Sequence, residues 1–294
     1  MADKMGPTGA KLQAPGPRYS FKSLPGVAEP QFGTSQLTRR QPLSGMTQRR
    51  RALSSLMALV LFATATPRPG FSADLGYTQV SETGVLEGHV RLAGESRPTP
   101  TRVQNTTDPE ICGAEHDLED LVVSAENRGI QPVIATLVDV PANRVPATPP
   151  QRLIIDNRDC RFIPHVAVAR VGDTVVAHNS DSTLHNTHYY GPLRSNVALP
   201  VEGMSVARVL QRPGMITVLC DVHGWMRAVI RVDEHPFHAV TDPQGFLRIS
   251  GIPPGSYTLD FWHETLGNQQ VQIEIQPDQT TRLDFEYAVT PSRP

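Results

Sequence analysis

The stretch VLCDVHGWMRAVIRV, residues 218–232, determines how the rest of the chain is best understood. One short apolar run leads into it and another leads out, so it predicts two β-strands joined by a loop. The loop carries Cys220, His223 and Met226 at intervals of three positions. A thiolate, an imidazole and a thioether form a soft ligand set, which predicts a transition-metal site.

A second histidine in a matching context strengthens this prediction. In VGDTVVAHNSDSTLHNTHYY, residues 171–190, a Gly-Asp turn precedes a strand and then a loop that ends at His185. Cys220 follows 35 positions later, which is enough for two or three strands to return to the same end of a sandwich. Cys220 or Met226 alone would be read as core, and His223 alone as surface. Together, His185, Cys220, His223 and Met226 predict His2Cys coordination with an axial methionine.

After residue 84 the chain consists of short apolar or alternating segments separated by Pro and Gly, which predicts an all-β fold. Long helical periodicity is absent there. Turns at residues 242–245 and 253–255, with alternating strands around them, indicate a second β-sandwich. We therefore expect two sandwiches preceded by a disordered N-terminus.

Residues 151–233 resemble a cupredoxin, closest in pattern to amicyanin and to plastocyanin-like or methylamine-utilisation-type proteins. The resemblance rests on GDTV at 172–175, His185-Asn186 and the Cys-x2-His-x2-Met loop. It implies a Greek-key sandwich with one type 1 (blue) copper held by the four predicted ligands. It also implies that Asn186 ties the two ligand loops together. The loop departs from the family in its Asp221-Val222 and Gly224-Trp225 fillers, and a carboxylate beside the thiolate would lower the reduction potential.

The run TDPQGFLRISGIPPGSYTL, residues 241–259, resembles the carboxypeptidase regulatory-like sandwich. That family begins with strands like GVLEGHVRL and PVIATLVDV, which here lie about 100 residues upstream. We hypothesise that residues 84–140 and 236–288 form one sandwich into which 151–233 is inserted. Three domains are expected. Residues 84–150 form an N-terminal β segment that belongs to the second sandwich, residues 151–233 form the cupredoxin domain, and residues 234–288 form the regulatory-like sandwich.

The N-terminal region predicts export. Residues 46–73 begin with a charged region of three consecutive arginines, Arg49 to Arg51, followed by a short apolar core and small residues, as a signal peptide does. The paired arginines weakly resemble a twin-arginine signal. The span is too short for a membrane anchor, so no membrane span is expected in the mature chain. Residues 1–45 are expected to be disordered or a gene-model extension. The predicted location is periplasmic or secreted.

Three cysteines in an exported chain leave one without a partner. The simplest prediction is a Cys112–Cys160 disulfide, with Cys220 kept for the metal. A zinc site that adds His116 and His165 to these two cysteines is the alternative, and free thiols are a third.

Other residues near the predicted site are expected to support it. His165 and His188 are auxiliary candidates. His165 would serve a second metal or a proton-coupled step, although a hydrogen-bonded structural role is favoured, and His188 matches a non-ligand histidine of the amicyanin pattern. The resemblance implies that His223 lies near the surface as the electron port. Trp225 and Tyr189 would shape the docking patch or simply cap the sandwich.

The predicted function is single-electron transfer between redox partners. The alternatives are a periplasmic copper carrier or chaperone, and a binding module with a degenerate copper site. An enzyme is not expected, because only one full copper ligand set and no Ser/His/Asp or paired-carboxylate arrangement stands out. Residues 74–294 carry 17 Arg and 27 acidic residues, a net charge of 17 − 27 = −10, which argues against nucleic-acid binding. The expected partner is a redox protein, either a cytochrome or an oxidoreductase, with a basic docking face.

Overall fold

The computed structural model describes residues 82–94 and 98–288, and these are nearly all β-structure. The predicted signal peptide at 46–73 and the segment 1–45 lie outside the described residues. Two short helices occur, α1 (Pro109–Cys112) and a 3-10 turn (Ala142–Arg144). Within the described ranges, the helices are too short and too polar to cross a membrane.

The strands in chain order are β1 Gly84–Leu92, β2 Arg102–Gln104, β3 Glu115–Asp117, β4 Val122–Val123, β5 Ile130–Gln131, β6 Ile134–Val138, β7 Arg152–Arg158, β8 Arg161–Ile163, β9 Val166–Arg170, β10 Thr174–Asn179, β11 His185–Tyr190, β12 Ser195–Leu199, β13 Ser205–Val209, β14 Gly214–Leu219, β15 Arg227–Asp233, β16 His238–Val240, β17 Phe246–Ile252, β18 Gly255–His263, β19 Gly267–Ile275 and β20 Thr280–Tyr287.

Two sheets are built from the strands between residues 152 and 233, in the orders β13-β10-β7-β8 and β12-β11-β14-β15-β9. Inward residues of the two sheets form one apolar cluster, which includes Ile155, Val175, Ile216 and Ile230. Cys220, Met226 and both other cysteines belong to the same cluster. The predicted ligand loop therefore sits at one end of this core.

Two further sheets have the orders β17-β1-β20 and β16-β6-β18-β19 and enclose a separate apolar core. The early strands β1 and β6 thus pair with strands that follow residue 237, across the whole of 151–233. In β1 every second residue is buried, as a strand with one face on a core requires. This pairing is what the insertion hypothesis expects, while the domain bounds themselves stay a prediction.

The turn at Asp242–Gly245 shows why the sequence folds this way locally. Gly245 has φ 77°, where a side chain is disfavoured, and a Cβ there would lie 2.4 Å from the carbonyl oxygen of Val90. The Asp242 side chain accepts hydrogen bonds from the backbone N–H groups of Gln244 and Phe246. The turn therefore brings β17 back against β1.

Residues between β1 and β6 do not all join the second pair of sheets. The β2–β3 ribbon and helix α1 lie against the predicted ligand loops, and a Cys112–Cys160 disulfide ties helix α1 to the turn between β7 and β8. We call Asn105–Leu118 the cover segment. Asn105 braces it, because its side chain donates to the carbonyl of Gly113 and its N–H to that of Ala114.

Candidate metal centre

The Cys220–Met226 loop closes the hairpin of β14 and β15, whose last paired residues are Leu219 and Arg227. The N–H of Cys220 donates to the carbonyl of Met226 at 3.2 Å, and the N–H of Met226 donates to that of His223 at 2.9 Å. These two bonds hold the loop in a tight turn. Cys220 and His223 consequently face the same end of the sandwich.

His185 reaches this loop because it opens β11, which pairs with β14. The preceding loop is closed by Asn179, whose side chain donates to the carbonyls of Thr183 and Leu199, each at 2.9 Å. Both bonds are buried, so the position of His185 is set by the backbone on either side of it.

Three of the four predicted ligands converge on one point. Nδ1 of His223 lies 3.0 Å from Nδ1 of His185 and 3.8 Å from Sγ of Cys220. Bonds of about 2.0–2.3 Å, as nitrogen and sulfur make to zinc, would separate trigonal donors by about 3.5–3.8 Å. Both histidines are 0% exposed and Cys220 is 4% exposed. The Nδ1–Sγ distance matches such a site, whereas the two Nδ1 atoms lie about 0.5 Å closer than donors around one ion would. The rings would therefore move slightly apart around a bound ion, at a place that is shielded from water.

The outer nitrogens of both histidines meet carboxylates. Nε2 of His185 lies 2.8 Å from Asp181, and Nε2 of His223 lies 3.2 Å from Asp108. A carboxylate acceptor places the ring proton on Nε2 and leaves a lone pair on Nδ1. Two lone pairs then face each other across 3.0 Å, an arrangement that a bound cation would stabilise.

Electrostatics favour the protonation states that metal binding needs. Burial lowers the pKa of His185 despite the nearby Asp181, so the ring stays neutral. A hydrogen bond from Thr183, followed by contact with His223, lowers the pKa of Asp108 although partial desolvation opposes this. Asp108 is therefore an anion that accepts from both neighbours.

Asn186 lies between the two loops. Its Oδ1 accepts the backbone N–H of Asp221 at 2.7 Å and lies 3.4 Å from Sγ of Cys220. Its Nδ2 donates to Asn196 and to the carboxylate of Asp221. The side chain next to the first predicted ligand is thus anchored on the residue next to the second.

Met226 is 2% exposed and belongs to the same apolar cluster as Cys220. With His116 and Trp225 it lines a cleft between the cover segment and the sandwich. Its role as the axial ligand stays a prediction.

The two auxiliary histidines lie outside the converging group. His188 contacts Asp221 at 3.1 Å and stacks on Tyr190. Nδ1 of His165 lies 2.9 Å from the carbonyl of Arg227, and its Nε2 lies 2.6 Å from Glu264. Burial opposes a charge on His165, but Glu264 outweighs this and raises its pKa. His165 thus links the sheets of residues 152–233 to the turn that follows β18.

The cover segment is the part of the site that sequence reasoning missed. Asp108 accepts from Thr183 at 2.8 Å as well as contacting His223, and Cys112 Sγ lies 3.7 Å from Nε2 of His223. His116 stacks on Trp225 with ring centroids 4.4 Å apart. His223 is therefore fully buried, and the expectation that it lies near the surface is wrong.

The positions of Cys112, Cys160 and Tyr189 decide two further expectations. The disulfide occupies both Cys112 and Cys160, so the alternative zinc site that needs their thiolates is wrong. Cys160 also lies near Asp181 and His185, but its sulfur is in the disulfide and that carboxylate already binds the ring, so this grouping offers no separate site. Tyr189 is buried in the core and does not shape a docking patch.

Comparisons with known proteins return partial matches. No protein-family model matches the chain, and no curated protein matches it. A copper-containing nitrite reductase from Thermus scotoductus SA-01 is 24% identical, with a TM-score of 0.26, over 33% of this chain and 25% of that one. A purple cupredoxin from Nitrosopumilus maritimus is 23% identical, with a TM-score of 0.25, over 28% and 98%. An amicyanin variant in the Cu(I) form is 22% identical, with a TM-score of 0.23, over 33% and 97%.

Proposed function

We propose that this protein is an exported type 1 copper protein that carries single electrons between redox partners. The observation that carries the proposal is the convergence of two Nδ1 atoms 3.0 Å apart with a thiol sulfur 3.8 Å from one of them. His185, Cys220 and His223 would hold the ion, with Met226 as the weak axial ligand. A copper ion with such ligands supplies one-electron chemistry between Cu(I) and Cu(II).

The chain's own contribution is to hold the donors still and to exclude water. Both rings are fixed at Nε2 by carboxylates, and the two ligand loops are joined through Asn186. Ligands that are already placed need little rearrangement when the charge of the ion changes by one. Fixed ligands therefore suit rapid electron exchange.

Burial favours an electron carrier over a copper chaperone. A protein that hands its metal to another must let the acceptor's ligands reach the ion. Here the ligands are buried and the cover segment is tied down by a disulfide. Release of the ion would require this segment to move, whereas an electron needs no such opening.

The cleft beside Trp225 supports a docking face for the partner. The Trp225 ring centroid lies 5.1 Å from that of His223, in a tilted contact, and 4.4 Å from that of His116, in a stacked one. Aromatic rings in contact therefore lead from a predicted ligand to the cleft. Asp117, Glu119 and Asp120 line the cleft together with Arg161 and Arg227, and Arg161 pairs with Glu119. Three acidic against two arginine side chains leave a small negative excess at the cleft, which attracts a partner with a basic face. The net charge of −10 over residues 74–294 adds long-range attraction.

Export is supported by the disulfide, because such bonds persist in oxidising compartments and are rare in the cytosol. We propose a periplasmic or secreted location on this basis and on the predicted signal peptide. The second pair of sheets then travels with the copper domain as one exported unit.

Reversible redox titration tests the function directly. The chain, loaded with one equivalent of Cu(II), should accept one electron per protein from a mild reductant and return it to an oxidant. Copper should stay bound through repeated cycles with a Cu(I) chelator in solution. Loss of the metal to the chelator at the first reduction would instead indicate copper delivery. Cys220→Ser, which removes the thiolate, is the control.

A further inference from the structure

We propose that Asp108 and Asp181 are a pair of positioning residues, one for each histidine ligand of the metal centre. The inference rests on the proposed function and deepens it. Each carboxylate would hold its imidazole in the form that ligates through Nδ1, and each would increase the electron donation of that ring to the metal.

Symmetry of contact is the first argument. Asp181 lies 2.8 Å from Nε2 of His185, and Asp108 lies 3.2 Å from Nε2 of His223. In both rings the opposite nitrogen faces the other ring, 3.0 Å away. Each histidine is thus held between a carboxylate on one side and the proposed metal position on the other.

The construction of each carboxylate's own site is the second argument. Asp181 accepts the backbone N–H groups of Asp159 and Cys160, at 2.8 and 2.9 Å. Asp108 accepts the hydroxyl of Thr183 at 2.8 Å. Neither side chain can therefore turn away from its histidine without losing a second hydrogen bond.

The disulfide supplies the third argument, because it joins the two carboxylate sites. The N–H of Cys112 donates to the carbonyl of Asp108, and the N–H of Cys160 donates to the side chain of Asp181. The Cys112–Cys160 bond consequently locks the cover segment in the place where Asp108 reaches His223. The cover segment therefore both buries the site and supplies Asp108, one of the two carboxylates.

The chemical consequence follows from the charge of the metal. A carboxylate that accepts from Nε2–H makes the imidazole a better donor, and such partners typically contribute 10- to 100-fold to metal affinity. Cu(II) gains more from a stronger donor than Cu(I) does, because it carries the higher charge. Removing the carboxylate charge should therefore weaken Cu(II) binding more than Cu(I) binding and raise the midpoint potential.

Asparagine substitutions test this, because Asn keeps an oxygen acceptor and removes only the charge. For Asp108→Asn we expect about a tenfold loss of Cu(II) affinity. Each tenfold difference between the two oxidation states raises the potential by about 59 mV. Asp181→Asn should have the larger effect, since the Asp181 side chain is 10% exposed and that of Asp108 is 36%. Glu110→Gln removes a charge from the same cover segment and should change the potential far less.

A readout on the metal-free protein separates this inference from the function itself. Long-range 1H–15N spectra of the metal-free chain should find His185 and His223 protonated at Nε2, and Asp108→Ala should shift His223 toward a mixture of tautomers without altering His185. If the wild type forms no blue centre, the proposed function fails, whereas these spectra still test the hydrogen bonds. If the wild type is blue but the two Asn variants match Glu110→Gln in potential, the positioning inference is overturned.

Discussion

Sγ of Cys112 lies 3.7 Å from Nε2 of His223, although the two residues are 111 positions apart in the chain. A structural disulfide therefore touches a predicted metal ligand. The bond joins cysteines that are 48 positions apart in the chain, and it holds the cover segment over the proposed metal centre. Its removal should affect both the stability of the fold and the retention of the metal.

The double variant Cys112→Ser/Cys160→Ser should lower the free energy of unfolding of the metal-free chain by about 2–4 kcal/mol, because the unfolded chain regains the entropy of an open loop. Urea denaturation measures this. Transfer of copper to a chelator should also become faster, since the cover is no longer tied down. An unchanged transfer rate would show that the cover does not control access to the centre.

Asn186→Ala should loosen the proposed metal centre without unfolding the sandwich. The substitution removes the acceptor of the Asp221 N–H and the group 3.4 Å from Sγ of Cys220. Supporting residues of this kind typically contribute 10- to 100-fold to metal affinity. Competition with a chelator of known affinity measures the loss. Asn196→Ala is the control, because Asn196 is exposed and contacts only side chains of this network; an equal loss there would contradict the assignment.

The docking face predicts a charge-dependent rate of electron exchange. Replacing Asp117, Glu119 and Asp120 by their amides should slow reaction with a cationic one-electron oxidant such as hexaammineruthenium(III) several-fold at low ionic strength. The difference should shrink as salt screens the charges. Stopped-flow absorbance measures it. The matched control replaces three exposed acidic residues elsewhere: Glu274 on β19, Asp278 between β19 and β20, and Glu286 on β20. Equal slowing in both variants would indicate overall charge rather than this cleft.

His263 predicts a loss of stability in mild acid. The side chain is 0% exposed, its Nδ1 accepts from the N–H groups of Thr265 and Leu266, and burial lowers its pKa to about 4. The unfolded chain, with an ordinary pKa of about 6.5, binds the proton first, so stability falls as pH drops from about 6.5 toward 4.

At pH 4.5 this contribution amounts to about 2–3 kcal/mol. Urea unfolding of the metal-free chain at pH 7 and 4.5 measures it against His263→Leu, which cannot titrate. The variant should lose less stability between the two pH values than the wild type does. Because the pKa of His165 is raised, that residue opposes the trend in both proteins. Identical pH dependence would refute the role of His263.

The predicted ligand loops were accessible from the sequence because their information is local. Cys220, His223 and Met226 lie within one hairpin turn, and His185 follows a strand whose turns are marked by Gly and Asp. Tyr189 illustrates a signal that was available and unused. Tyr189 lies four positions after His185 in β11, so the two side chains share one face of the strand, and that face is buried.

The carboxylates that contact the histidines differ in how far along the chain they lie from their partners. Asp181 precedes His185 by four positions, so its proximity was open to prediction. Asp108 meets His223 across 115 positions, and Glu264 meets His165 across 99. Such contacts depend on how sheets and connecting segments pack, and no local period in the sequence encodes them. The buried state of His223 follows from the same distant packing, which is why the resemblance alone misplaced it at the surface.

The visible absorption and EPR spectra of the Cu(II)-loaded chain, measured beside Cys220→Ser, test the central claim most directly. The account predicts an intense thiolate-to-copper charge-transfer band and a narrow copper hyperfine splitting at one copper per chain, both lost in the variant. A weak tetragonal Cu(II) spectrum that survives Cys220→Ser, or no stoichiometric binding, would contradict it.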